Sequence, residues 1–532
     1  MSKEIIESEA QLAGAAMALG ASSCGSLSQS ERSLASKALD VPPRLVRSLI
    51  AAIKRGEDPL GNIYCDLRTP VVRRPIGATY TPEPIVAAIA DWIAERRPIR
   101  IVDPGAGSGR FVVAAGRRLP DAELVAVETD PLASLLLRAH LAVAGFEKRS
   151  RVVVGDYRSL RLPSVRGPTG FIGNPPYVRH HLIAPEWKSW LAQKAKDLGL
   201  NASQLAGLHV HFFLATALLG SAKDFGAFVT AAEWLDVNYG SLVRSLLMGP
   251  LGLSNLHVVE PKARPFPDAD TTAAITCFVL GSHPDSVQLR RVETLGKLAS
   301  LQSGKPVRRE RLEASNRWTP LTRPARRCPD GFVELGELCE VHRGQVTGAN
   351  KVWIAGAHSE GLPENVLYST VTKARELFAA GSALKTGDGL RMVIDLPANL
   401  DELTTVARRA VEKFLKTAQA MGADRGFIAQ HRKAWWSVGL RSPAPILATY
   451  MARRPPAFVR NVAKVRHINI AHGIYPREPM SDKLLRALAL HLSNATSVDD
   501  GRTYCGGLTK FEPKEMERLV VPGFSILLAA PV

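Results

Sequence analysis

Three carboxylates stand where short β-rich runs end: Asp103 closes 99–103, Glu128 closes 123–128 and Asp156 follows 151–154. After the first comes Asp103-Pro104-Gly105-Ala106-Gly107-Ser108-Gly109, whose alternating glycines let the backbone turn tightly and approach a ligand without a Cβ in the way. The spacing is G-x-G-x-G, not the G-x-G-x-x-G of dinucleotide folds, which weakens a pyrophosphate reading. An acid at the strand end favours a ligand that carries an ammonium group. Glu128 follows Gly109 by 19 residues, a spacing at which such an acid takes ribose hydroxyls. Asp156, with Tyr157 beside it, can accept from an adenine amino group. Each acid alone reads most simply as a solvated strand end or helix cap. Three of them after three successive strands favour cofactor binding.

Asn174-Pro175-Pro176-Tyr177 follows a fourth run at 171–173, 71 residues after Asp103. Two consecutive prolines fix φ at about −65° and cannot continue a central strand, so the backbone there is stiff. Proline keeps its carbonyl as a pure acceptor, and Asn174 adds a side-chain carbonyl. Together they can accept both hydrogens of an exocyclic amino group and aim its lone pair at an electrophile. Tyr177 supplies a ring for stacking on a planar base.

These residues need strands to carry them. From 76 to 285 the β-rich runs alternate with helical stretches, a pattern that implies βαβ units and a mostly parallel sheet covered on both faces. Ligands of such sheets bind at the carboxyl ends of the strands, where the motifs stand. Residues 1–75 read as a helical extension, with Leu45, Leu49 and Ile53 at four-residue spacing and no assignable chemistry. Residues 286–330 read as a basic linker, with eleven Lys or Arg against three acids within 288–328. Beyond it, 331–532 loses the βαβ rhythm and becomes mixed and punctuated by Pro and Gly. Within that last region, 431–470 holds eight Lys or Arg and no acid, interleaved with Trp435, Trp436, Tyr450 and Phe458. Such a mixture suits phosphate contacts with aromatic packing.

The whole chain has 532 residues, with 68 Lys and Arg against 50 Asp and Glu, a net charge of +18. That excess points to a polyanion such as nucleic acid or a membrane surface. No apolar run approaches the roughly 18 residues of a membrane span. Glu4, Glu7 and Glu9 stand where a secretory signal needs bases, so a cytoplasmic protein is expected. Six scattered cysteines, none in a C-x-x-C pair, fit a reducing compartment without a zinc site. His209 and His211 lack a spaced acid or cysteine to complete a ligand set, so no metal is expected.

Together with Gly77-Ala78-Thr79-Tyr80-Thr81-Pro82, these motifs resemble the N6-adenine DNA methyltransferases of restriction–modification systems, in the gamma order of motifs, over most of 76–532. The resemblance implies an α/β class I methyltransferase fold, Rossmann-like with a mostly parallel sheet, followed by a mixed α+β target-recognition domain at 331–532. It implies S-adenosyl-L-methionine held by Tyr80, Thr81, Pro82, Asp103, Gly105, Gly107, Gly109, Glu128, Asp156 and Tyr157. It likewise implies a flipped adenine held by Asn174, Pro175, Pro176 and Tyr177, with Phe266 as the second stacking partner. Asn rather than Ser at the head of the tetrapeptide favours adenine over cytosine. The segment 342–354 resembles the start of the recognition domain. Double-stranded DNA, a cognate restriction endonuclease as functional partner, and a monomer acting on DNA follow from the same family, with no membrane role. An RNA-base or protein-glutamine methyltransferase remains an alternative, as does an inactive DNA-binding subunit.

Overall fold

Leu45, Leu49 and Ile53 fall on α3 (Pro43–Arg55), one of four helices that open the chain with α1 (Glu9–Ala18), α2 (Gln29–Ala35) and α4 (Pro59–Leu67). The computed structural model describes residues 5–73, 77, 80–266, 271–298, 300–322, 328–504 and 508–529. Ala78 and Thr79, residues 267–270 of the loop after Phe266, and Arg323, Arg326 and Arg327 of the expected linker lie outside the described residues. The chain forms two compact units, Met1–Ala325 and Arg326–Val532.

In the first unit the β-rich runs become β1 (Arg100–Asp103), β2 (Glu123–Glu128), β3 (Ser150–Val154), β4 (Thr169–Gly173) and β5 (Phe225–Ala231). With β6 (Leu253–Val259), β7 (Ala273–Val279), β8 (Ser286–Val292) and β9 (Lys305–Arg308) they build one sheet, in the order β3-β2-β1-β4-β5-β7-β6-β8-β9. The first five are parallel, and β7 runs antiparallel to both of its neighbours. Alternate side chains enter opposite core layers, Val102, Val125, Val127 and Phe171 on one face and Ile101, Leu124, Ala126 and Ile172 on the other. Both layers are apolar, so both faces require helices. α5 (Glu83–Ala94) and α6 (Arg110–Arg118) cover one face with Ile85, Ile89, Phe111 and Val112. α7 (Pro131–Val143) follows β2, and α8 (Leu208–Leu219) covers the other face with Val210 and Phe213. Strand order reverses between β1 and β4, which opens a crevice at their carboxyl ends.

Two expectations about organisation change. The stretch expected as a basic linker, 286–330, supplies β8 and β9, and it buries Val287, Leu289, Val292, Val307, Leu312 and Trp318. Its cations are interspersed with buried residues such as Leu289, Val292 and Val307, so a count of charge conceals the strands. The N-terminal helices are an integral layer of the unit, with Leu12, Ala16 and Tyr64 sharing a core with Leu132 and Leu136 of α7. Glu31 caps α2 through Ser28 and pairs with Arg138 of α7 at 2.6 Å, both side chains nearly inaccessible.

The second unit has a five-stranded sheet of β10 (Cys339–Arg343), β11 (Ala383–Leu384), β12 (Ile446–Thr449), β13 (Phe458–Asn461) and β14 (Ala471–Pro476), in the order β10-β14-β12-β13-β11. α9 (Asp482–Ala495) packs Leu488 and Leu492 into a core with Ile446 and Phe458.

Candidate active site

The glycine turn leaves β1 and enters α6 at Gly109, whose φ of +99° is a left-handed conformation that a side chain would strain. Glu128, at the end of β2, holds the turn from outside. Its Oε2 accepts from the Gly107 amide at 2.8 Å, and its Oε1 accepts from the Thr129 and Asp130 amides. Burial raises its carboxyl, partly offset by the Asp130 and Gly107 amides. Asp103 is wholly buried, and neither oxygen has a well-formed hydrogen bond among the described residues. Burial pushes its carboxyl up to about 8, with the Gly105 and Val112 amides opposing and Glu128 adding a little.

A cleft of about 940 Å³, counting its open mouth, lies over the turn. Of the residues expected to hold a cofactor, it is lined by Tyr80, Thr81, Gly105, Gly107, Glu128, Asp156 and Tyr157. Asn174 and Pro176 border it too. Asp103, Gly109 and Pro82 do not line it: Asp103 sits beneath Pro104 and Gly173, Gly109 caps α6, and Pro82 caps α5. Asp156 meets the cleft already engaged, its two oxygens accepting from Arg158 Nε at 2.9 Å and Nη2 at 2.6 Å. It therefore presents a neutralised carboxylate rather than a bare one. Tyr157 is buried beside Phe212, with ring centroids 5.2 Å apart, and its hydroxyl meets Thr216. The acids Glu128, Asp130 and Asp156, the rings of Tyr64, Tyr80, Tyr157 and Phe212, and Arg110 all line the cleft, which suits a ligand that combines a purine, a ribose and an amino acid group.

Gly173 ends β4 at φ +152°, and a Cβ there would stand 2.9 Å from Asp103 Oδ1. Asn174 follows, and its Nδ2 donates to Thr81 Oγ1 at 3.0 Å. The Tyr177 amide donates to the Gly77 carbonyl at 3.3 Å, and its hydroxyl reaches the Val229 carbonyl at 3.4 Å. Burial raises the Tyr177 phenol well above its usual value, so the ring is neutral. Phe266 stands beside it, 5.6 Å between centroids and 69° between planes. Both expected stacking partners thus come together, but edge to face. A base between parallel rings needs about 7 Å between their planes. Phe266 is 2% exposed and belongs to the core behind Tyr177. His209 and His211 are neutral imidazoles, pushed by burial to about 4 and about 3.

The sequence reading missed the contribution of the N-terminal helices. Tyr64 of α4 lines the cleft, and its hydroxyl donates to Asp130 Oδ2 at 2.9 Å. Asp58, the N-cap of α4, accepts from Ser108 Oγ at 2.5 Å, Arg110 Nε at 2.6 Å and the Gly61 amide at 2.7 Å. Burial opposes its ionisation, yet His140, Arg110 and Ser108 hold it below the usual carboxylate range. The only local signal was an Asp before a proline, which marks a helix start and nothing more.

In the second unit the acid-free stretch 431–470 divides between structural and exposed residues. Phe458 is buried, Tyr450 stacks on His472 and Trp435 packs on Trp353. Arg460 pairs with Asp482, while Arg432 and Arg466 donate to backbone carbonyls. Lys433, Arg441, Arg453, Arg454 and Lys464 remain exposed.

Comparison with known proteins adds the following. Residues 325–530 match the family model described as type II methyltransferase M.Eco57I, C-terminal domain. The chain is 54% identical over 454 residues to the type II methyltransferase M.XamI of Xanthomonas campestris pv. amaranthicola, covering 85% of this chain and 86% of that protein. It is 30% identical over 106 residues to a tRNA1(Val) (adenine(37)-N6)-methyltransferase of Porphyromonas gingivalis, covering 19% of this chain and 42% of that enzyme. Among solved structures, the type IIL restriction–modification enzyme MmeI in complex with DNA superposes with a TM-score of 0.52 at 14% identity, covering 81% of this chain and 66% of that one.

Proposed function

Since the chain belongs to the type II DNA methyltransferases of restriction–modification systems, we propose that the base it methylates is adenine, at N6, after the base flips out of double-stranded DNA. The observation that carries this reading is the tetrapeptide Asn174-Pro175-Pro176-Tyr177 at the carboxyl end of β4, bordering a cleft with Glu128, Asp130 and Asp156 in its wall. The methyl donor of the family is S-adenosylmethionine, which supplies an electrophilic methyl group on a sulfonium. Tyr80, Gly105, Gly107, Glu128, Asp156 and Tyr157 are the residues that would hold it. The Asn174 side-chain carbonyl and the Pro175 carbonyl accept the two amino hydrogens, which fixes the nitrogen lone pair toward the cleft. The Tyr177 ring stacks on the base, and Phe266 must turn from its edge-on packing to become a second platform. Positioning, without a covalent intermediate, supplies the rate.

The likeness to an adenine-N6 tRNA enzyme favours adenine as the base. It spans only 19% of the chain, whereas likeness to the type II methyltransferase spans 85%, which favours DNA over RNA. Exposed Lys433, Arg441, Arg453, Arg454 and Lys464 are the cations available for phosphate contacts. A cognate endonuclease is the functional partner, and a monomer is the form that acts on DNA. Two measurements test the reading. Asn174→Ala retains cofactor affinity and loses methyl transfer on the order of 100-fold or more, the size of effect seen when a transition-state hydrogen bond is removed. Modification-sensitive sequencing of DNA from expressing cells finds N6-methyladenine at one motif; N4-methylcytosine, or no modified base, refutes it.

A further inference from the structure

We infer that Asp58, in the N-terminal helical layer, is a positioning residue for methyl transfer, acting through Arg110 and Thr81 on the Asn174 amide. The inference rests on the adenine-N6 reaction proposed above. An amide that must accept from a small exocyclic amine has to be held in position and in plane, because an acceptor displaced by an ångström loses the near-attack geometry. The tetrapeptide's prolines stiffen the backbone but leave the Asn174 side chain to be fixed by its neighbours.

A continuous chain of hydrogen bonds does this. Asn174 Nδ2 donates to Thr81 Oγ1 at 3.0 Å, and Thr81 is 2% exposed. Arg110 Nη1 donates to the Thr81 carbonyl at 2.9 Å, so Thr81 is gripped from its backbone side as well. Arg110 in turn is anchored by its Nε on Asp58 Oδ2 at 2.6 Å and by its Nη2 on Asn62 at 2.7 Å. Asp58 also accepts from Ser108 Oγ at 2.5 Å, and His140 Nε2 stands 3.2 Å from its other oxygen. One carboxylate from α4 therefore ties down the glycine turn and, through an arginine and a threonine, the amide expected to receive the target amine. All three nitrogens of that guanidinium and the threonine hydroxyl have directional partners, so a displacement at Asp58 propagates rather than dissipates.

The test uses the full-length protein, S-adenosylmethionine and DNA carrying the motif identified by sequencing. Thr81→Val keeps the shape and removes the acceptor: kcat falls about tenfold or more, by a larger factor than the cofactor Kd rises. Thr81→Ser restores the acceptor and returns kcat to within about threefold of the wild type. Asp58→Asn lowers kcat in the wild-type background and has a smaller effect on residual turnover in Asn174→Ala, because the part of its action that passes through the amide is already lost there. Wild-type kcat in Thr81→Val overturns the inference. So does a Thr81→Ser no better than Thr81→Val, a cofactor Kd that weakens in step with kcat, or additive losses in the Asp58 and Asn174 double variant. Should Asp58→Asn fail to fold, the two Thr81 variants decide alone. If Asn174→Ala retains full turnover, the adenine-N6 reading falls and this inference with it. If Asn174→Ala is inactive and Thr81→Val is not, only this inference falls.

Discussion

Asp103→Asn separates the cost of a buried carboxyl from its use. The wild-type carboxyl is wholly buried, and its pKa rises from an ordinary 3.8 to about 8 because desolvation disfavours the charged form. The folded state therefore keeps a proton that the unfolded state gives up above pH 4. Such a group stabilises fully below pH 3.8, and the contribution is lost as pH rises toward 8. At about 1.4 kcal/mol per pKa unit, the folded wild type at pH 7 carries a cost of roughly 4 kcal/mol that a neutral asparagine of the same shape does not. Urea denaturation of both proteins at pH 5, 6 and 7 should show the stability difference moving in favour of Asp103→Asn by about 3 kcal/mol across that range. The second readout is functional. If Asp103 pairs with the ammonium of the cofactor, wild-type binding at pH 7 releases about one proton, measurable by calorimetry in buffers of different ionisation enthalpy, and the variant releases none. Parallel pH profiles for the two proteins would refute the burial argument, and absent proton release would refute the ammonium pairing.

Three further expectations follow from particular contacts. Glu31→Ala strands the buried Arg138 guanidinium and should cost about 3–5 kcal/mol of stability, seen as a lowered Tm. Burial opposes ionisation of Glu31, but hydrogen bonds from Arg138, Ser28 and Ser134 hold its pKa below 4.5, so the wild type should lose this contribution as pH falls through that range. An unchanged melt would mean that the N-terminal layer is not part of the cooperative unit. Gly173→Ala places a methyl 2.9 Å from Asp103 Oδ1 and should displace the head of the tetrapeptide, lowering kcat more than it raises the cofactor Kd; equal effects on both would contradict this. Arg453→Ala with Arg454→Ala should weaken DNA binding similarly across sequences and reduce the salt slope by about 2, whereas Arg460→Ala should act on stability through Asp482 instead.

The runs that become β1, β2 and β4 were legible from the chain as short β-rich stretches between helical ones, and a sheet covered on both faces follows from that βαβ pattern; the division of their side chains between two core layers came from the structure. The glycine turn, the acids at strand ends and the tetrapeptide were legible because their chemistry depends on residues adjacent in sequence. Charge was the poorer guide. It made a linker of β8 and β9, and it counted Arg432, Arg460 and Arg466 with the solvent-facing cations of 431–470, because counting cations cannot tell a guanidinium facing solvent from one bonded to Asp482 or a carbonyl. What only the tertiary structure decided is where distant residues meet. Asp58 reaches Ser108 and Arg110 across about 50 residues, Thr81 reaches Asn174 across 93, and Tyr177 meets Phe266 edge to face. Such contacts are set by how layers pack, and no local period or motif records them. The sequence alone determined which groups can do the chemistry, and packing determined which neighbours hold them still.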